Sequence, residues 1–398
     1  MKAKISNSFF AIQRRISLVF FLLLGFTQLQ GQVSDVKFSR FSTENLKIEK
    51  GLSQSTVNAI TQDKKGYIWI GTWDGLNKFD GYNYTVYRPG ALGEKNTLSS
   101  ETVNCLLVDK QGTLWVGTER GLNRFERATG GFISYLNDEK DPTSLTGNNI
   151  TCIFQDRNKN LWIGTTRGLN RMDRTSGKFI RYTLNKNNKG SISNNRINAI
   201  YEDKLGFLWV CTNKGINQYN PLSETFKVIS KNNSGLVSDT VYSITQDKEG
   251  VFWIATERGL CKADAACNVM KVYRQEDGKP GKISSSQVKI AFCDSRNNLW
   301  FATASQGLNL YNRAKDNFDV YRNTPTEPYS IGDNGINTLF EDQDGDLWIG
   351  TNKGMSKVEG RLSTFYLYRN IPTEQVSLNN NIVWGLMSDA QGKLWIAT

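Results

Sequence analysis

The 398 residues include no histidine. Within this chain that excludes a Ser-His-Asp triad, a histidine-ligated zinc site and a phospho-accepting histidine. Carboxylates are frequent but evenly spaced. One aspartate stands six residues before each of eight tryptophans: Asp63, Asp109, Asp156, Asp203, Asp247, Asp294, Asp342 and Asp389. An aspartate opening a turn is ordinary turn chemistry, and nothing pairs these residues as glycoside hydrolysis requires. The stretch Asp342-Gln343-Asp344-Gly345-Asp346 resembles part of a calcium loop. Other copies put lysine where a ligand would stand, and the bidentate glutamate is absent, so no metal and no cofactor is expected. What remains is recognition. Recurrent short turns carry Trp73-Asp74, Glu119-Arg120, Thr166-Arg167, Asn213-Lys214, Glu257-Arg258, Ser305-Gln306 and Asn352-Lys353. A second set of loops is rich in Ser and Asn, from Ser53-Gln54-Ser55 and Ser99-Ser100-Glu101 to Ser377-Leu378-Asn379. Hydroxyls, amides and cations around one indole suit a sugar, acidic sugars included. The candidate ligand-binding residues are Trp73, Asp74, Arg120, Arg167, Lys214, Arg258 and Lys353.

These turns need a scaffold that brings them to one face, and the repeat supplies it. Trp-Ile-Gly-Thr or a variant returns at Trp69, Trp115, Trp162, Trp209, Trp253, Trp300, Trp348 and Trp395, spaced 44–48 residues apart. A period in the forties built of short β segments is the signature of a propeller. The first copy divides into strands at 57–61, 67–72, 76–79 and 84–87, one four-stranded blade. Loops into the inner strand and turns after the second strand then share a face. The residue two after each tryptophan is Gly71, Gly117, Gly164, Cys211, Ala255, Ala302, Gly350 or Ala397. Residues two apart on a strand share a side, so a large ring beside a small neighbour nests one blade on the next. Three residues after each aspartate glycine recurs, replaced by Asn297 in one copy and Lys159 in another. There Asn158 is expected to take the left-handed position instead of Lys159.

The fold is therefore read as all-β: a propeller of seven four-stranded blades over 51–376, with an incomplete eighth repeat over 377–398 that starts a further propeller. Eight blades are the alternative. Within 32–50, Phe38-Ser39-Arg40-Phe41 is expected to add an outer closing strand. Residues 1–31 show a basic start, the apolar run Ile16 to Phe26 and a polar end, as in a secretory signal peptide. That run is too short to span a bilayer as a helix. The formal charge is +11. Lys2, Lys4, Arg14 and Arg15 supply four of these charges, which leaves +7 beyond the signal segment, without a long basic run. Contact with nucleic acid is not expected. Cys105, Cys152, Cys211 and Cys293 read as small buried hydrophobes. Cys261 and Cys267 flank one hairpin turn, where an oxidising compartment would permit a disulfide.

Asn148 to Leu169 and Gly335 to Met355 follow the pattern Ile/Val-x-x-Ile-x-x-Asp-x-x-Gly-x-Leu-Trp-Ile-Gly-Thr-x-x-Gly-Leu. This resembles the two-component regulator propeller repeat, from about residue 47 onward. The resemblance implies the periplasmic sensor region of a hybrid two-component system, anchored in the inner membrane in its full-length form. Such a region would bind an oligosaccharide or other small ligand and pass its state to a histidine kinase domain absent from this chain. It also implies a homodimer of the longer protein. This chain itself is then no enzyme. An exported lyase-like propeller and an adhesion or scaffold module are the alternatives. The streptogramin type of lyase relies on histidine.

Overall fold

Four short strands make each blade, and the first shows why. The computed structural model of the chain describes residues 38–41, 51–358 (except 92, 93, 95, 328 and 329) and parts of 378–397. The signal-like segment 1–31 lies outside the described residues. Strand β1 (Phe38–Phe41) precedes the first blade, which is the antiparallel meander β2 (Val57–Gln62), β3 (Ile68–Thr72), β4 (Gly75–Phe79) and β5 (Tyr84–Tyr87). The second strand is buried along its whole length and packed on both sides, so it reads as an unbroken apolar run. Five further four-stranded sheets follow in sequence order, their inner strands being β6 (Val103–Val108), β10 (Ile150–Gln155), β14 (Ile197–Glu202), β18 (Val241–Gln246) and β22 (Val288–Cys293).

The seventh blade closes the ring. It consists of β26 (Ile336–Glu341), β27 (Leu347–Thr351) and β28 (Gly354–Val358), with β1 as its outer strand, pairing Phe38 with Val358 and Phe41 with Met355. One sheet thus holds both ends of the ring, with the short strand β1 as its outer edge. The ring has seven blades. The eighth copy forms a separate two-stranded sheet, β29 (Gly385–Ser388) with β30 (Leu394–Ala397), and Trp384, Leu386, Met387 and Trp395 are exposed on it.

The repeated tryptophans hold the blades together. Trp69 packs with Val103, Leu114 and Val116 of the next blade, and Trp348 packs with Val57, Ile68 and Ile70 of the first. The small neighbour is a steric requirement. A Cβ on Gly71 would lie 2.5 Å from Val103 Cγ1, and one on Gly350 would lie 2.7 Å from Val57 Cγ1. Each indole N–H also has a fixed acceptor. Trp115, Trp162 and Trp209 donate to Asp109, Asp156 and Asp203 at 2.9, 2.9 and 2.8 Å. The other oxygen of Asp109 accepts the backbone N–H groups of Gln111 and Thr113. One buried carboxylate therefore shapes the turn and satisfies the indole, where the sequence reading saw turn chemistry alone. Arg127, Arg174 and Arg313 reach back from the following blade to Asp63, Asp109 and Asp247.

Two expectations are corrected. Lys159 itself adopts the left-handed conformation (φ 68°), not Asn158, and Asn297 does the same at 72°. Gly206, at 93° in the next blade, shows that the turn geometry is set by the hairpin, which makes a non-glycine residue conform. Cys261 and Cys267 are not bridged; all six cysteines are free thiols. Cys261 pairs in the ladder with Val272, while Cys267 lies in the turn, and both are buried as small apolar groups between the fourth and fifth blades.

Candidate ligand-binding face

Every inner strand carries a β-bulge at its second residue. In β2 the register passes from Val57–Thr72 to Ala59–Gly71, which leaves Asn58 unpaired, and the same shift recurs in all seven blades. A bulge re-aims its side chain. The seven bulged residues are Asn58, Asn104, Thr151, Asn198, Tyr242, Lys289 and Asn337. Four of the asparagines act as clamps. Their Nδ2 groups donate to the carbonyls of Val103, Ile150, Val241 and Val57 in the neighbouring blade, at 3.0, 3.0, 2.7 and 3.2 Å.

The third, fifth and sixth blades lack this clamp, with Thr151, Tyr242 and Lys289 at the bulge. Ser243 Oγ instead accepts the Ala291 N–H at 2.8 Å. That bond joins the fifth and sixth blades, beside a 3.3 Å hydrogen bond from Gln287 Nε2 to the Tyr242 hydroxyl. Lys289 Nζ lies 3.7 Å from the centre of the Tyr242 ring, a cation–π contact. Both residues, with Thr151, Asn104, Asn198 and Asn337, line a cavity of about 910 Å³ at one mouth of the ring. Arg196, Glu119 and Glu257 also reach it. Among the described residues, neither Lys289 nor Arg196 forms an ion pair. An adjoining cavity of about 370 Å³ is lined by Trp73, Asn58 and Ala304 together with Asn104, Lys289, Ile336 and Asn337.

The loops and turns named from sequence do share this face. Gly75 N–H donates to Glu101 O at 2.7 Å and Gly354 N–H to Ser55 O at 2.6 Å, tying each second-strand turn to a loop that leads into an inner strand. Trp73 is 58% exposed and stands at the mouth. Asp74 is engaged elsewhere, bound through both oxygens by Arg88 at 2.9 and 2.7 Å. Arg120, Arg167, Lys214, Arg258 and Lys353 are exposed on their turns, and each backbone N–H is held by the threonine of its own second strand. None of these five lines either mouth cavity. Arg258 borders a separate depression of about 210 Å³ with Lys231, Asp239 and Glu257. The hydroxyls of Ser53, Ser99, Thr146 and Ser193 are bonded to Thr72, Thr118, Thr165 and Thr212 at 2.9–3.0 Å, so they fasten the loops. Sequence reading missed the bulged column. Its signal was present: the residue after the first Val or Ile of the inner strand is asparagine in four blades, replaced by Thr151, Tyr242 and Lys289 in the other three.

The profile of the two component regulator propeller family matches residues 51–74, 97–120, 144–167, 191–214, 235–258, 330–353 and 377–398. The chain belongs to that family. The repeat around Trp300 is outside those matches, yet it forms a complete blade. Its second turn is one residue longer: Thr303 Oγ1 reaches Gly307 O four residues on, where Thr72 reaches Gly75 three residues on. The extracellular domain assigned to the hybrid two component system BT3049 of B. thetaiotaomicron is 27% identical, with a TM-score of 0.70 over 91% of this chain and 47% of that one. The chain thus spans about half of that domain. "Histidine kinase P4" of Formosa agariphila is 44% identical over 72 residues, which is 18% of this chain and 5% of that protein. Virginiamycin B lyase from Staphylococcus aureus, at 13% identity and a TM-score of 0.59 over 82% of this chain and 99% of its own, shares the fold. Among the described residues no helix is long and apolar enough to cross a membrane.

Proposed function

We propose that this chain is the N-terminal sensor region of a hybrid two-component system, exported to the periplasm, where it binds an oligosaccharide-type ligand and controls a histidine kinase domain beyond residue 398. The observation that carries the reading is the mouth cavity of about 910 Å³, lined by amides, hydroxyls, unpaired charges and an aromatic ring supplied by several blades. A concave site with a few convergent polar groups is the usual form of a small-ligand site. The relatedness to BT3049, an extracellular domain of such a system, supports the link to a kinase. The longer protein would be anchored in the inner membrane and signal as a homodimer. This chain would act by binding and catalyse nothing itself.

Two measurements test this. A glycan array probed with the purified chain should show a defined group of bound oligosaccharides. The same oligosaccharides should change autophosphorylation of the full-length kinase in membranes. Binding without any change in phosphorylation would favour an adhesion role, and cleavage of the glycans would favour a lyase. A chain that ignores every glycan, beside a kinase that responds to none, would remove the sugar-sensing reading.

A further inference from the structure

The smaller mouth cavity has a composition of its own. Among the described residues its only charged lining residue is Lys289; Glu119 and Glu257 border the larger cavity and not this one. Trp73 adds an exposed indole face. Asn58, Asn104 and Asn337 complete the polar lining, and each has already committed its Nδ2 group to the protein. Among the described residues no hydrogen bond is formed by their Oδ1 atoms, so three carbonyl oxygens are left to accept hydrogen bonds. A ligand for this cavity must therefore supply hydroxyl donors, one flat apolar face and one negative charge.

The geometry points to an acidic-sugar subsite, in which Lys289 pairs with the anionic group of an oligosaccharide and Trp73 stacks on the same sugar ring. The anionic group is a uronate carboxylate or a sulfate ester; a lysine ammonium, as a compact point charge, serves for either. This rests on the sugar-binding reading above and narrows it to a class of sugar. Lys289 occupies a position where four other blades use asparagine to clamp their neighbour. The seam it leaves unclamped is held instead at the opposite turns, where Ser295 N–H and Oγ–H donate to Glu341 at 2.8 and 2.6 Å. The sixth blade thus presents a cation to the mouth without losing its attachment to the seventh. The cavities share Asn104, Lys289 and Asn337, so further sugar units extend from the smaller into the larger.

The test is isothermal titration of the purified chain with three probes of equal length: an oligogalacturonate, a sulfated galactan fragment and a neutral galactan fragment. One anionic probe should bind about tenfold or more tighter than the neutral one, as an added charge pair allows, and added salt should narrow the gap. The stronger of the two anionic probes distinguishes carboxylate from sulfate. Lys289→Gln should abolish the preference, bringing the anionic probes to the level of the neutral one, whereas Trp73→Ala should weaken all three probes. Unchanged melting temperatures would show that both variants fold. Equal binding of neutral and anionic probes, or a preference that survives Lys289→Gln, would overturn the acidic subsite and leave a neutral-sugar sensor standing. Binding to none of the three would overturn the subsite, and a blank glycan array would then remove the sugar reading as well.

Discussion

Asp156 shows how much one recurrent side chain carries. It accepts the Trp162 indole N–H at 2.9 Å, the Asn160 backbone N–H at 2.8 Å and the Asn160 amide at 2.8 Å. Asp156→Ala should cost about 1–3 kcal/mol, because it leaves a buried N–H without an acceptor. Trp162→Ala should cost more, about 3–5 kcal/mol, through the cavity left between blades. Urea denaturation of the two variants checks the order. Sequence showed the spacing of six but not its meaning. The bond joins two side chains across a hairpin, and turn propensity registers only the backbone. A second prediction concerns pH. Burial pushes the Cys267 thiol up to about 12, while an unfolded thiol titrates near 8.5. Above that lower value the unfolded chain releases a proton that the folded chain retains, so stability falls as pH rises toward 12. Urea midpoints from pH 8 to 10.5 should fall less steeply in Cys267→Ala than in the parent.

Between elements, volume decides. In β10 and its partner strand Cys152 faces Gly164, whereas one blade later Ala199 faces Cys211. The bulk has moved across the ladder with its sum nearly kept, which packed interiors tolerate best. A Cβ on Gly164 would lie 2.5 Å from Cys152 Sγ and 2.8 Å from Ile197 Cγ2. Gly164→Ala should therefore destabilise by about 1–3 kcal/mol as an overpacked core does. The exchange Cys152→Ala with Gly164→Cys, which copies the next blade, should recover most of that loss in thermal melts. Strands and blades were legible in the chain because their apolar runs and turns repeat. The direction in which the bulged column faces was not, since an inserted residue reverses the two-residue alternation from which facing is read.

At the scale of the molecule, the mouth is assembled from positions far apart in sequence. Asn337 reaches Val57 across 280 residues. No local pattern contains that proximity, which exists only once the seventh blade meets the first. The turn cations, prominent in sequence, stay outside the two mouth cavities for the same reason: the ring fixes which residues face its axis. The eighth repeat tests the boundary of the ring. Among the described residues its hairpin pairs only with itself, and Trp384, Leu386, Met387 and Trp395 are exposed. Deleting residues 377–398 should leave the melting temperature of the ring unchanged in calorimetry, and a marked drop would make that hairpin part of the ring's stability.

The closing sheet has a mechanical consequence. Phe38 and Val358 face each other at one end of an antiparallel ladder, so the polypeptide enters and leaves the ring side by side. Tension between the segments on either side would load the rungs one after another, in peeling, and would bypass the other six sheets. The weakest direction of this otherwise sealed wheel is therefore the one in which its own flanking sequences pull.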